Sequence, residues 1–138
     1  SSISYTGNNR THMIRVPDSG RFELRLMDGS SNPYLLQAGV IAAGLHGLNN
    51  KSDPGEPLSC NMYKDYKNYP NLKKLPDRIE DALEFLKNSK ELKEAFGENV
   101  ISSYIKLKDI EIQDFDKYET FDKRDPVTEW EKNSTLDC

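Results

Sequence analysis

Three charged residues alternate with apolar ones along residues 20–26, GRFELRL: Arg21, Glu23 and Arg25. In a β-strand, side chains two positions apart project from the same face, about 7 Å apart. Arginine presents a planar fork of donors that pairs with phosphate or carboxylate oxygens, and a carboxylate can bind a cation. The pattern therefore predicts either a face that binds a polyanion and a cation, or an exposed face on which Glu23 neutralises its neighbours.

Arg10 and Arg15 precede this strand, so four arginines lie within residues 10–25. Like charges this close repel one another unless anions lie between them. The other candidate residues form no motif. His12 and His46 lack the spacing of a metal-binding pair, so each is interpreted as a packed or exposed histidine. The sequence contains neither a phosphate-binding glycine loop nor a nucleophile elbow. Tyrosines at 63, 66 and 69 could stack a base or hold their loop against a neighbouring surface.

A hairpin and several helices must position these residues. Residues 10–17 and 20–26 are β-prone and the segment between them predicts a turn, so we expect a β-hairpin over residues 8–28. Capping residues and Pro33 predict a helix over residues 32–48. That helix carries almost no charge and many small residues, so we expect it to approach a neighbouring element closely and to be buried on most sides.

Residues 49–76 are predicted to form a long loop that is functional or packs on a partner. Residues 77–138 are predicted to form the helical part and tail. This part includes a break at Gly97, an amphipathic helix carrying Ile101 and Phe115, and a short last helix around residues 127–132 that begins at Asp125-Pro126 and is anchored by Trp130. A hairpin followed by helices is an α+β arrangement.

The composition excludes several classes of protein. A net charge of −4 predicts no attraction to nucleic acid or to anionic membranes. The chain shows no signal-peptide pattern at its start and no apolar run that would span a bilayer, so we expect a cytoplasmic protein. A hydrophobic fraction of 36% is low for a self-sufficient core, which indicates either burial against another surface or a long polar tail.

Three motifs in order, NNRTHMIRVP, RFELRL and DGSSNPYLLQAGVIAAGLHGL, resemble the C-terminal part of the catalytic domain in the glutamine synthetase family. The resemblance is strongest over residues 8–57. It implies that residues 1–138 are the C-terminal portion of an ATP-dependent ligase that uses Mg²⁺ or Mn²⁺. Such an enzyme phosphorylates the γ-carboxylate of glutamate and then forms an amide with ammonia.

The resemblance also implies roles for single residues. Arg10 and Arg15 match catalytic arginines that face the ATP phosphates, and Arg21 matches a further arginine on the nucleotide side. Glu23 matches a ligand of a divalent cation. Arg25 matches the arginine that binds the substrate glutamate.

The chain departs from the well-known bacterial form at RTHM, at LMDGS and at His46. These variants look more like the branch that includes γ-glutamylmethylamide synthetases, so ammonia and methylamine both stay open as the amine. Family enzymes are much longer and oligomeric. The resemblance therefore implies a homo-oligomer in which the rest of the catalytic domain and neighbouring subunits complete the site, and an inactive isolated chain. A non-catalytic binding or interaction module that keeps the fold is the remaining alternative.

Overall fold

The computed structural model describes residues 2–118 and 127–134. A small sheet comes first and helices follow, which confirms the predicted α+β class. The strands are β1 (Tyr5–Thr6), β2 (Ile14–Asp18) and β3 (Arg21–Leu24). The helices are α1 (Pro33–Asn49), α2 (Met62–Asp65), α3 (Ile79–Asn88), α4 (Lys90–Phe96), α5 (Glu98–Phe115) and α6 (Glu129–Ser134), with 3₁₀ turns at Tyr66–Asn68 and Asp116–Tyr118.

The described residues separate into two compact units. The first holds the residues up to 31 together with residues 47–82, and it contains the sheet and α2. The second holds residues 32–46 and the described residues from 83 onwards, and it contains α4, α5 and α6. The helix α1 contributes its last turn to the first unit, and α3 contributes its first turn.

The sheet has the order β1-β2-β3. The predicted hairpin is confirmed as the antiparallel pair β2–β3, in which Arg15 lies opposite Glu23. Its turn uses Gly20 at a φ of +77°, a left-handed conformation that glycine adopts without steric cost. The strands are shorter than predicted, since β2 begins at Ile14 rather than at residue 10 and β3 ends at Leu24 rather than at residue 26. The strand β1, which pairs in parallel with β2, was not predicted because two residues are too short to show an alternating pattern.

The segment predicted as a long loop packs on the sheet of its own unit. The Tyr5 hydroxyl donates a hydrogen bond to the Gly55 carbonyl at 2.6 Å, and the backbone N–H of Leu58 donates to the Tyr5 carbonyl at 3.0 Å. Further along, the N–H of Ile3 donates to the Lys73 carbonyl at 2.7 Å. The segment also contains the short helix α2, whose Met62 is buried. The prediction was a long loop that is functional or packs on a partner. The long-range hydrogen bonds to residues of the same unit could not be predicted from a local pattern.

The start of α1 is as predicted. The side-chain oxygen of Asn32 accepts hydrogen bonds from the backbone N–H groups of Tyr34 at 3.0 Å and Leu35 at 3.1 Å. These two bonds satisfy donors that have no partner inside the helix. Pro33 occupies the first helical position, where its missing N–H costs nothing.

The expectation that α1 is buried and closely approached is wrong for this chain. None of its residues is buried, and Leu48 is 77% exposed. A Cβ atom added at Gly39, Gly44 or Gly47 would meet nothing within 4 Å. The physical reason is that an uncharged helix surface is typical of a helix packed against other protein surface, and the described residues do not supply that surface.

No helix among the described residues is long and apolar enough to cross a membrane.

In the second unit, the predicted break between two helices lies at Gly97. The Ser89 hydroxyl accepts a hydrogen bond from the N–H of Leu92 at 3.2 Å, which caps α4. Gly97, at a φ of +85°, ends α4 and precedes α5. Among the described residues of the second unit, the buried apolar side chains are Leu83 and Ile101.

Trp130 anchors α6, as predicted. Its ring packs edge-on against Phe115, with the ring centroids 5.6 Å apart, and its indole N–H donates to an Asp114 carboxylate oxygen at 2.8 Å. The helix starts two residues later than expected, with a reciprocal cap between Thr128 and Glu131. The predicted Asp125-Pro126 start lies outside the described residues.

We expect the 138-residue chain to self-associate in solution, because large exposed apolar surfaces associate in water. Ile41 and Leu45, one turn apart on α1, are 61% and 54% exposed. Replacing both with lysine should lower the sedimentation coefficient and reduce the binding of a hydrophobic dye. Gln37→Lys adds charge to the same helix without removing an apolar side chain, so it should change both readouts less. A monomeric wild-type chain with low dye binding would contradict this expectation.

Candidate functional site

The Glu23 carboxylate joins two of the predicted arginines. Its Oε2 atom accepts a hydrogen bond from Nη1 of Arg15 at 2.8 Å and a longer one from Nη1 of Arg25 at 3.5 Å. The register of β2 against β3 produces the first contact, since Arg15 and Glu23 lie directly opposite each other. The structure therefore brings three of the five predicted site residues into one charged cluster.

Asn8 holds the other side of the Arg15 guanidinium. Its Oδ1 atom accepts a hydrogen bond from Nε of Arg15 at 2.9 Å and a second one from Nη2. With Glu23 on Nη1, all three nitrogens of Arg15 are engaged, and its side chain is only 13% exposed. Each Nη atom keeps one further N–H for a ligand. Sequence reasoning missed Asn8, because only the pairing of β1 beside β2 places it next to Arg15.

Arg25 ties the end of β3 to the segment before β2. Its Nε atom donates to the Arg10 carbonyl at 3.1 Å, and its backbone N–H donates to the Met13 carbonyl at 2.9 Å. Arg25 and the backbone of Arg10 are thereby fixed relative to each other. The guanidinium of Arg10 itself makes no hydrogen bond or ion pair with the described residues, so it can reach a ligand.

The residues beside Arg10 attach it to the segment that carries α2. The side-chain amide of Asn9 donates to the Cys60 carbonyl at 2.9 Å. The hydroxyl of Thr11 donates to Oδ1 of Asn9 at 2.9 Å and accepts from the backbone N–H of Met62 at 3.0 Å. These bonds fix the backbone on both sides of Arg10 while its charged end stays exposed.

His12 has a structural role in this attachment. Its ring is 3% exposed, with Nε2 at 2.9 Å from the Cys60 carbonyl and Nδ1 at 3.0 Å from the Ser4 hydroxyl. Since a carbonyl only accepts, Nε2 carries a proton. Both ring nitrogens are used, so His12 is a packed histidine, one of the two readings that the sequence left open.

Arg21 lies apart from the charged cluster. The sequence predicts it on one face with Glu23 and Arg25, but its ion pair in the described part of the chain is with Asp18 at 3.7 Å, and both side chains are largely exposed. The register of β2 against β3 is irregular between Arg15 and Asp18, at the turn end of the hairpin. Exposed pairs of this kind contribute little energy, so Arg21 can exchange Asp18 for an anionic ligand.

A cavity of about 470 Å³ adjoins the charged cluster. Its volume falls within the range of small-molecule sites. One wall comes from the residues around Arg10 and Arg25, and the other comes from α2 and the residues that follow it. The lining residues are Ser2, Arg10, Thr11, His12, Met13, Arg25, Leu26, Met62, Tyr63, Tyr66, Lys74 and Asp77.

The pKa of Glu23 lies below its ordinary value. The hydrogen bond from Arg15 is the main cause, and the charges of Arg15 and Arg25 add to it, while partial burial acts in the opposite direction. The carboxylate is therefore ionised at neutral pH. Its Oε1 atom accepts no hydrogen bond from a described residue, and its side chain is 43% exposed.

An ionised carboxylate oxygen is a ligand that Mg²⁺ and Mn²⁺ accept, so Glu23 fits one position of a divalent-cation site. Across residues 2–118 and 127–134, no group of three or more histidine, cysteine, aspartate or glutamate side chains is placed to hold a metal ion. Mg²⁺ is usually bound by one or two carboxylates together with waters and substrate phosphates, and Glu23 fits the place of one such carboxylate.

Replacing Arg15 with glutamine should raise the pKa of Glu23 toward its ordinary value, because the main hydrogen bond to the carboxylate is lost. A ¹³C NMR titration of the Glu23 carboxyl group measures this. A depressed pKa stabilises the fold above the ordinary pKa, and this contribution disappears as the pH falls through the folded-state pKa. The variant should therefore lose less stability than the wild type between about pH 5 and pH 3.

Arg21→Gln is the matched control for that titration, since Arg21 pairs with Asp18 in the same hairpin. It should leave the pKa of Glu23 where it is. Equal shifts in both variants would mean that general positive charge, rather than the Arg15 contact, lowers the pKa.

The model of the family described as "Glutamine synthetase, catalytic domain" matches residues 1–131. The glutamine synthetase of Rhizobium meliloti is 48% identical over 136 residues, which are 99% of this chain and 29% of that relative. The glutamate–methylamine ligase of Methyloversatilis universalis is 38% identical over 138 residues, which are 98% of this chain and 29% of the ligase.

Solved structures agree with these matches. A complex of GmaS with ADP superposes with a TM-score of 0.82 at 40% identity, and GmaS without ligand superposes with a TM-score of 0.80. Each covers 99% of this chain, and this chain covers 30% of each. The chain thus spans less than a third of the length of the relatives that it matches. With the family model matching residues 1–131 and with 48% identity to a curated member, the chain belongs to the glutamine synthetase family.

Proposed function

We propose that the full-length protein containing this chain is an ATP-dependent glutamate–ammonia ligase. The observation that carries the proposal is the Glu23 carboxylate, which Arg15 and Arg25 bind through Oε2 while Oε1 accepts no hydrogen bond from a described residue, beside a cavity that Arg10 lines. Four arginines with one accessible carboxylate suit a reaction in which several anionic oxygens must be brought together. The activity belongs to the whole protein, of which this chain is about 30% by comparison with its relatives.

The reaction consists of two displacements. An oxygen of the γ-carboxylate of glutamate attacks the γ-phosphorus of ATP, and ADP leaves with the bonding electron pair. The amine nitrogen then attacks the acyl carbon, phosphate leaves, and the nitrogen loses a proton to give the amide. Both steps gather negative charge on oxygen atoms, which guanidinium groups stabilise. A bound Mg²⁺ or Mn²⁺ ion would neutralise further phosphate charge.

Arg10, Arg15 and Arg21 are assigned to the ATP phosphates. The Arg10 guanidinium makes no hydrogen bond or ion pair with a described residue, which supports its part. For Arg15 the support is the two N–H groups that it does not donate to Asn8 or Glu23. For Arg21 the support is its exposure at the turn, where the ion pair to Asp18 is readily exchanged.

Arg25 and Glu23 are assigned to the substrate and the cation. Arg25 lines the cavity and is held by the Arg10 carbonyl, so its Nη2 atom is free to bind a carboxylate of glutamate. Glu23 would contribute Oε1 as one metal ligand. The other metal ligands would come from the rest of the catalytic domain, and neighbouring subunits of a homo-oligomer would complete the site.

Methylamine is the second candidate for the amine. The relative from Methyloversatilis universalis is a glutamate–methylamine ligase, and the two solved GmaS structures share this fold at 40% identity. The curated relative from Rhizobium meliloti, at 48% identity, is a glutamine synthetase, which favours ammonia.

The test measures phosphate release by the full-length protein with ATP, glutamate and either ammonium or methylammonium. Glu23→Gln should lower kcat/KM by on the order of a hundredfold, because it removes a charge on which the site depends. Glu80→Gln is the matched control, since Glu80 is also paired with an arginine, but that arginine is Arg78, which is not one of the five predicted site residues. The ratio of kcat/KM values for the two amines identifies the substrate.

Absence of amine-dependent phosphate release, or equal activity in the two glutamine variants, would contradict the proposed ligase. The purified 138-residue chain should release no phosphate, because its described residues contribute a single carboxylate to the site. Turnover by that chain would show that it is active alone.

A further inference from the structure

We propose that Lys74 is an anion-binding residue of the cavity, and that the cavity holds an oxyanion of the substrate between the Arg10 side and the α2 side. This inference rests on the proposed function, which assigns Arg10 and Arg25 but gives no role to the second wall. The oxyanion is a carboxylate of the amino acid or a phosphate of the nucleotide. Both present charged oxygens to the same cationic donors.

The charges that line the cavity favour an anion. Arg10, Arg25 and Lys74 are cationic, and Asp77 is the single carboxylate among the lining residues. Lys74 and Arg10 make no ion pair with any described residue. Cations gathered at a cavity repel one another, and their mutual repulsion is relieved when an anion binds. Arg25 is already paired with Glu23 at 3.5 Å, so Arg10 and Lys74 set against Asp77 leave one positive charge in excess at the lining.

The backbone at Lys74 is fixed relative to the other wall. Ser2 and Lys74 form an isolated antiparallel bridge, and the N–H of Ile3 donates to the carbonyl of the neighbouring Lys73 at 2.7 Å. On the α2 side, the N–H of Met62 donates to the Thr11 hydroxyl, next to Arg10. The two walls are thus joined by hydrogen bonds, and a preorganised site of this kind costs less entropy when a ligand binds.

The remaining lining suits a small organic anion. Tyr63 and Tyr66 supply aromatic surface and hydroxyl groups, and Met62 and Leu26 supply apolar surface. The volume of about 470 Å³ accommodates an amino acid or part of a nucleotide. Residues 49–76, which were predicted to form a loop that is functional or packs on a partner, would thus contribute one wall of the substrate site.

The experiment compares Lys74→Gln with Lys73→Gln in the full-length protein. Lys73 is the adjacent residue and does not line the cavity, so the control makes the same change in charge outside the site. Glutamate and ADP are titrated separately by calorimetry. We expect Lys74→Gln to weaken the binding of one of them about tenfold, as loss of a charged hydrogen bond does, and Lys73→Gln to leave both unchanged.

The titration that responds identifies the anion. Weaker glutamate binding assigns Lys74 to a carboxylate, and weaker ADP binding assigns it to a phosphate. Lys74→Arg should retain most of the affinity because it keeps the positive charge. Equal affinities in Lys74→Gln and Lys73→Gln for both ligands would overturn the inference. These binding measurements need no turnover. A full-length protein without ligase activity would therefore contradict the proposed function, but the calorimetric titrations would still decide the assignment of Lys74.

Discussion

The contact between Arg15 and Glu23 across β2 and β3 is the constraint on which the candidate site depends. It requires the antiparallel register that places the two residues opposite each other. It also depends on Asn8, which occupies the remaining nitrogens of Arg15 and so directs Nη1 to the carboxylate. Because both arginines bind Oε2, the second oxygen, Oε1, stays available to a ligand.

The segment after α1 extends this constraint to the cavity. The Cys60 carbonyl accepts hydrogen bonds from both Asn9 and His12, on either side of Arg10. Buried polar groups that all have partners fix a single arrangement of the backbone. The result is a short segment whose backbone is immobilised by its neighbours, whereas the Arg10 guanidinium makes no hydrogen bond or ion pair with a described residue. Binding residues with rigid backbones and free charged ends need little reorganisation when a ligand arrives.

The sequence predicted the elements that local patterns encode. The turn at Gly20 and the helix start at Asn32 concern residues close together in the chain, and the structure confirms both. The alternation in GRFELRL predicted the strand but not its faces, since β3 ends at Leu24, Phe22 is 60% exposed and Arg21 pairs with Asp18. The contacts of Asn8 and of Cys60 could not be predicted, because they join residues that only the tertiary fold brings together. The burial of α1 was predicted wrongly for a related reason. The apolar composition of α1 is typical of a buried helix, but none of its residues is buried by the described part of the chain.

The charged cluster lies within the residues that match the catalytic-domain model of the family and that share their fold with GmaS. The central claim is that Glu23 offers Oε1 to a divalent cation while Arg15 retains Oε2. A crystal structure of the full-length protein with Mn²⁺ and ADP, with anomalous scattering recorded for manganese, tests it most directly. The account predicts an anomalous peak about 2.2 Å from Oε1 of Glu23, with the Arg15 contact intact. A manganese ion bound without Glu23, or a Glu23 side chain turned away from the metal, would contradict it.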